Sequence, residues 1–317
     1  MWLKLRLYLV MAVLFAIVYG IVAFAASYMG ITGFFFYGIL ASIMLLIQYM
    51  IGPKMVEWSM GVRYVSETEY PALHRMVGEL ASYAGVQKPR IGIAKIPIPN
   101  AFAFGRWASD GRVCVTEGIL NLLNEKELRA VLGHEISHLK HKDVVVITMI
   151  SVIPMICWYL AWNSLFSGDR ERGNNVLIGI AAFVLYLVTN LLVLYVSRIR
   201  EYYADEGSVE LGNAPHHLAS ALYKLVYGSA RVPKESLKQI EGMKAFFASD
   251  PSLAGSDIRE LSQIDLDKSG TIDRNELLLL RTKPVKISTT DKIMEILSTH
   301  PNMLKRIQRL SSLQSAY

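Results

Sequence analysis

Gly133-His134-Glu135-Ile136-Ser137-His138-Leu139-Lys140-His141-Lys142-Asp143 runs directly into an uncharged apolar stretch at residues 144–166, and this junction decides how the 317-residue chain is read. The first half contains H-E-x-x-H. Upstream, Asn124 stands three residues before Glu127, a cap with a reciprocal carboxylate, and Leu128, Val131, Leu132 and Leu139 recur at helical spacing. On a helix, residues four apart lie about 40° apart around the axis and ~6 Å along it, so His134 and His138 can converge on one metal. Glu135 lies beside them, placed to take a proton from water. A catalytic zinc needs a third protein ligand and an open position. Arg200-Glu201-Tyr202-Tyr203-Ala204-Asp205 offers two carboxylates on one helical face, and spacing alone does not choose between them.

The second half of the junction points to a membrane. Hydrophobic residues make up 52% of the chain and mean hydropathy is +0.31, high for a soluble globular protein. Residues 7–53 carry no charge, enough for two passes hinged near 27–33, given about 20 apolar residues per span. Residues 144–166 and 176–197 are a further uncharged pair, separated by the polar loop 168–175. The competing reading of that pair is a buried hairpin of a soluble core; its length favours the membrane. At the N-terminus, Lys4 and Arg6 before an apolar run, with Ala23-Phe24-Ala25 behind it, also fit a cleaved signal peptide, but the second uncharged run argues for retained spans.

Lys4, Arg6, Lys54, Arg63, Arg198 and Arg200 flank the spans on one side, against Arg170 and Arg172 on the other. The expectation is a multi-pass protein of the cell membrane with both termini and the polar segments cytosolic. A net charge of +6 suits contact with an anionic lipid bilayer and requires no nucleic acid. The cysteines, Cys114 and Cys157, exclude a disulfide framework and C-x-x-C metal pairs.

Between the second span and the H-E-x-x-H helix, Ser66 is placed to cap a helix with Leu73, Met76, Val77 and Leu80 on its apolar face. Residues 90–96, 101–105 and 112–116 read as a small sheet, the last two a hairpin turning at Ser109-Asp110-Gly111. Segments 198–212, 214–228, 234–249 and 289–316 read as helical, the last interrupted at Pro301.

Leu132-Gly-His-Glu-Ile-Ser-His-Leu-Lys-His-Lys-Asp143 followed by a span resembles the HtpX-like membrane metalloproteases, more distant relatives of the CAAX prenyl proteases. Asn100-Ala-Phe-Ala-Phe-Gly105, Thr116-Glu-Gly118, Arg200-Glu-Tyr-Tyr-Ala-Asp205 and Ser298-Thr-His-Pro301 match that family's further motifs in order, over most of the chain except about 250–285. The resemblance implies Glu201 as third zinc ligand, Asp205 as a supporting residue orienting a ligand imidazole, and His300 as donor to the oxyanion of the tetrahedral intermediate. It implies a quality-control protease whose substrates are misfolded membrane proteins. Asn100, Ala101, Phe102 and Ala103 are expected to form an edge strand on which an extended substrate pairs. His141 matches no family motif and reads as an interfacial anchor; His216 and His217, at the start of a helix, read as exposed, and His74 as a bystander.

The segment outside the resemblance contains Asp265-Leu-Asp-Lys-Ser-Gly-Thr-Ile-Asp-Arg-Asn-Glu276. Asp265, Asp267, Ser269, Thr271, Asp273 and Glu276 fall at the ligand positions of an EF-hand loop and Gly270 at its turn, a candidate Ca2+ or Mg2+ site. Ser269 departs from the usual Asp or Asn. Ile258, Leu261 and Ile264 before the loop, and Leu277, Leu278 and Leu280 after it, supply flanking helices; a solvated acidic linker is the plain alternative.

The expected architecture is an α-helical integral membrane protein with about four transmembrane helices and a mainly α, α+β zincin-like cytosolic protease domain carrying a small β-sheet. Its segments are 1–53 (first helix pair), 54–142 (first part of the protease domain), 143–197 (second helix pair), 198–249 (second part), 250–285 (EF-hand-like insert) and 286–317 (C-terminal helical part). The expected reaction is zinc-dependent hydrolysis of peptide bonds. A CAAX-type processing protease is one rival, for which four spans are too few to build a large membrane chamber. The other is a scaffold or calcium sensor with structural zinc, which would close its site with a fourth protein ligand.

Overall fold

The computed structural model describes residues 34–166, 174–231, 254–281 and 289–314. The first expected span, the 168–173 loop and segment 234–249 lie outside the described residues. In chain order the elements are α1 (Phe34–Ser59), β1 (Val62–Tyr64), α2 (Pro71–Ala84), β2 (Arg90–Ala94), β3 (Ala101–Phe104), β4 (Arg112–Thr116), α3 (Glu117–Leu122), α4 (Glu125–His141), α5 (Asp143–Phe166), α6 (Asn174–Glu210), α7 (Pro215–Ala230), α8 (Ala254–Leu261), α9 (Arg274–Leu279), α10 (Thr289–Ile296) and α11 (Met303–Leu313). The chain divides into two compact units, Met1–Gly52 with Val145–Ile199 and Pro53–Val144 with Arg200–Tyr317.

In the first unit α5 and α6 pair through Ile147, Ile150, Val193 and Val196, and Trp158 packs its ring 5.2 Å from that of Tyr186. Many of their other apolar side chains, including Val176, Leu177, Ile180, Val184, Trp162 and Leu165, are exposed. An apolar surface of that extent is tolerable only against lipid or a partner. Among the described residues, Val176–Glu210 is the helix long and apolar enough to cross a membrane, and only 22% of its apolar window is buried, too little for a soluble core helix. The segment at 198–212, read from sequence as helical, is helical to Glu210 as the continuation of α6. No glycine or proline stands between Gly179 and Gly207 to end it.

In the second unit a four-stranded sheet has the order β1-β2-β4-β3. β2 and β4 run parallel with Ile91 opposite Val113, and β3 returns antiparallel along β4 with Phe102 opposite Cys114. The expected hairpin is therefore present, and β3 is an edge strand. β1, three residues long, pairs antiparallel with β2 and carries too short a pattern to be seen in the sequence. Period-2 alternation sorts the side chains. Ile91, Ile93, Ala101, Val113 and Val115 face the main core, while Ala94, Phe102, Phe104 and Cys114 face a second cluster closed by Val56 and Met60.

The main core lies between the sheet and helices α2, α4, α7 and α11, with Leu80, Leu132, Ile136, Leu222 and Ile307 fully buried. Truncating such a leucine to alanine costs about 2–5 kcal/mol. Helix α2 starts five residues later than Ser66 because Pro71 supplies a preformed first turn; the Ser66 amide and hydroxyl donate instead to Glu69 in the turn before it. Helix α4 has the expected capping box between Asn124 and Glu127. Glu127 also accepts from Ser220 Oγ (2.6 Å) and pairs with Lys224 (2.7 Å), locking the start of α4 onto α7.

The 265–276 segment is a helix–loop–helix, α8 to α9, seated on this core through Leu261, Ile264, Ile272 and Leu277. The chain breaks between α10 and α11 around Pro301, where Asn302 caps α11 by accepting from Leu304 N (2.9 Å) and donates to Glu260 Oε2 (2.8 Å).

Candidate metal centre

Two small-residue contacts bring the centre together. A Cβ on Gly133 of α4 would stand 2.4 Å from Asn213 Nδ2 and 2.9 Å from Ser208 Oγ, and one on Gly207 of α6 would stand 2.1 Å from Ser137 Oγ. These distances are below contact, so glycine at both positions lets the C-terminal turns of α6 lie directly on α4. Ser208 Oγ donates to Ala130 O (2.6 Å) across the same seam. The face of α4 that bears His134 and His138 is thereby set against the face of α6 that bears Glu201 and Asp205.

His134, His138 and Glu201 place one ligand atom each within 4.8 Å of one another. Their ring nitrogens Nε2 lie 3.1 Å apart, with the rings edge to face. Glu201 reaches to 3.5 Å from each, Oε2 toward His134 and Oε1 toward His138. Both Nδ1 atoms face carboxylates: His134 Nδ1 is 2.9 Å from Asp205 Oδ1, and His138 Nδ1 is 2.6 Å from Asp143 Oδ2. With each Nδ1 directed at a carboxylate, the neutral form of each ring keeps its proton on Nδ1 and presents its Nε2 lone pair toward the other. Glu201 Oε2 is buried and accepts no well-aligned hydrogen bond. Converging lone pairs beside a buried carboxylate are the donor set of a zinc site with one position left open, and the residues fit that ion.

Glu135 is buried beside the histidines, and burial raises its carboxyl pKa above the ordinary value, as suits a proton acceptor. His300 Nε2 lies 4.0 Å from Glu201 Oε1, and its Nδ1 is 3.0 Å from Thr299 Oγ1. Burial lowers the His300 pKa, keeping the ring neutral. Asn100 to Ala103 run along the sheet edge, on a strand that packs beside α4. Thr116 N donates to Asn100 O (2.9 Å), and alternation then turns the backbone groups of Ala101 and Ala103 away from β4, toward the open edge.

His141 lies outside the trio, with Nδ1 2.9 Å from Ser137 O. His74 Nε2 bonds Val65 O (3.0 Å), while His216 and His217 are half-buried rather than exposed, their ring centroids 4.2 Å apart and their planes tilted by 53°. Asp265, Asp267 and Glu276 form the other carboxylate group able to hold a metal among the described residues.

The sequence reading missed two arginines. Arg306 is completely buried and donates through Nε and Nη2 to both oxygens of Asp205, at 2.9 and 2.7 Å, while its Nη1 lies 3.1 Å from Glu201 Oε2. Arg200 ion-pairs with Asp143 and donates to His141 O (3.0 Å). A signal for Arg306 was present: Met303, Arg306, Ile307 and Leu310 follow the 0, 3, 4, 7 spacing of a core face, and an arginine in that stripe demands a buried partner.

The profile described as Peptidase family M48 matches residues 67–314. A "Protease HtpX homolog" of Methanothermobacter thermautotrophicus is 57% identical over 224 residues, covering 71% of this chain and 86% of that protein. One of Moorella thermoacetica is 42% identical over 74% of this chain and 79% of its own length, and one of Thermoplasma acidophilum is 31% identical over 98% and 97%. Among solved structures, S. mikatae Ste24p is similar in fold, with a TM-score of 0.51 at 16% identity; the match covers 96% of this chain and 64% of the Ste24p chain.

Proposed function

This chain belongs to peptidase family M48, and from that premise we propose a quality-control endopeptidase that cleaves misfolded or damaged membrane proteins at the cytosolic face of the cell membrane. It is a membrane-bound metalloprotease. The observation that carries the reading is the trio His134, His138 and Glu201, with both histidine Nε2 lone pairs turned inward beside a buried Glu135.

In the proposed mechanism a zinc ion held by the trio supplies Lewis-acid polarisation of the scissile carbonyl and acidifies water. Glu135 accepts the proton of the attacking water and returns it to the leaving amine. His300 donates to the oxyanion that develops on the carbonyl. An extended substrate segment pairs with the outward backbone groups of Ala101 and Ala103 on β3. Backbone pairing reads little side-chain identity, which suits damaged proteins of unrelated sequence.

Four spans, with both termini and the metal centre cytosolic, follow from the uncharged stretches and the lysine and arginine bias. Asp143 is the first residue of the apolar helix α5, five residues after His138, so cleavage takes place close to the headgroup boundary. The test is proteolysis of an unfolded protein by the detergent-solubilised chain, with Glu135→Gln alongside and zinc measured in both. Glu135→Gln keeps zinc and loses hydrolysis; normal turnover by that variant overturns the assignment.

A second proposal concerns the insert, which takes a calcium or magnesium ion weakly and for stability. Its support is that Asp265, Asp267 and Glu276 bring carboxylate oxygens within 4.8 Å. Asp265 is already held by the amides of Ser269 and Gly270 and the Tyr223 hydroxyl, and Glu276 by the amides of Leu266 and Asp273, so the loop closes without an ion. Calcium titration of the zinc-loaded chain, with Asp267→Ala as control, decides it: no binding at about millimolar calcium leaves a closed linker.

A further inference from the structure

Arg306 has no part in the mechanism above, yet it is wholly buried at the centre's most charged point. Its fork grips both oxygens of Asp205, the residue that fixes His134 through Nδ1. Its remaining nitrogen, Nη1, lies 3.1 Å from Glu201 Oε2. One guanidinium thus spans two carboxylates four residues apart on α6, one holding a histidine and the other facing both Nε2 atoms. Asp205 alone would have been satisfied by the bidentate pair, so the reach to Glu201 is additional.

Charge gives a second argument. Glu135, Glu201 and Asp205 are buried together, while Asp143 is matched separately by Arg200. Three carboxylates are balanced by a divalent ion and a single guanidinium, with the histidines neutral. Without Arg306 the loaded centre would keep an uncompensated buried negative charge, which protein interiors strongly disfavour. Lysine cannot replace it, because an ammonium offers a point charge and no fork.

We infer that Arg306 is a positioning residue of the metal centre, holding Glu201 in its ligating pose and Asp205 against His134 with one guanidinium. The inference rests on the zinc reading above. Helix α11 then does more than complete the core: it fixes the geometry of two of the three ligands.

The test uses the whole chain in detergent, with zinc affinity read by chelator competition and site geometry by the visible spectrum of the cobalt-substituted protein. Arg306→Met weakens zinc by about 10- to 100-fold and changes the cobalt spectrum. Arg306→Lys keeps the charge but also shifts the spectrum, since the fork is lost. In a Glu201→Gln background, where the pose no longer matters, Arg306→Met adds much less than it costs alone. Wild-type affinity and spectrum in either variant, or full additivity with Glu201→Gln, overturns the inference. So does failure of both Arg306 variants to fold, which assigns the arginine to the core. Glu201→Gln and His134→Ala alone keep the two readings apart: if neither loses zinc, the zinc site itself is wrong, whatever Arg306 does.

Discussion

Nδ1 of His138 lies 2.6 Å from Oδ2 of Asp143, across the point where α4 ends and α5 begins. The turn between them is made by Lys142, a non-glycine residue in the left-handed region at φ 56°, whose amide donates back to His138 O and Leu139 O. That turn brings the first residue of an apolar helix back onto a candidate metal ligand. Asp143→Ala leaves His138 free to rotate and to change tautomer, so zinc affinity falls about 10- to 100-fold, and stability falls with it because Arg200 loses its buried partner. Chelator competition measures it, and an unchanged dissociation constant removes Asp143 from the centre. Lys142→Gly, which relieves the left-handed strain, is close to neutral for both.

The seam between α4 and α6 depends on the absence of two methyl groups. Gly133→Ala would drive a Cβ into Asn213 and Ser208, which are tied to each other and to Ala130 O by hydrogen bonds, and Gly207→Ala would drive one into Ser137. Either substitution costs about 1–3 kcal/mol of stability by overpacking and forces the carboxylate face away from the histidine face. Zinc content and thermal unfolding should fall together. A variant that keeps both shows that the helices have slack at the seam.

The candidate centre is partly legible in the sequence because its signals are local. His134, Glu135 and His138 share one helical turn, and the Asn124 cap fixes where that helix begins. The choice between Glu201 and Asp205 was not local, since both lie on one face of α6. It came from a resemblance; in the structure Asp205 is engaged by Arg306 and His134 Nδ1, while Glu201 faces Nε2. Arg306 stayed hidden because its partners are about a hundred residues away. Strand β1 stayed hidden because three residues carry no readable alternation. The α2 start was misplaced because Ser66 resembles a cap in sequence while Pro71 sets the first turn.

His300 reaches the centre from the far end of the chain and is not a member of the candidate trio. As an oxyanion donor it acts on the transition state, so His300→Ala lowers kcat by about 10²- to 10³-fold with KM and zinc content little changed. Loss of zinc from that variant, or a rise in KM with kcat intact, would instead make it a metal-supporting or substrate-binding residue.

Zinc binding should also depend on pH in a direction the carboxylates dictate. Burial lowers the pKa of His134, but Asp205 and Glu201 outweigh it and raise the net value; for His138, Glu201 does the same against burial. In the metal-free protein both imidazoles therefore hold protons above the ordinary histidine value of about 6.5. A ligating histidine must be neutral, so the ion expels these protons on binding. Apparent affinity then rises with pH from about 6.5 upward, about tenfold per pH unit for each proton expelled, and levels off only above the raised values. Asp205→Asn removes the charge that raises His134, so its affinity levels off at lower pH, although the affinity it reaches is weaker. Calorimetry in buffers of different ionisation enthalpy counts the protons released. A wild-type affinity that is flat from about pH 6.5 to 8.5 would mean that the carboxylates do not hold the histidines protonated in the empty centre.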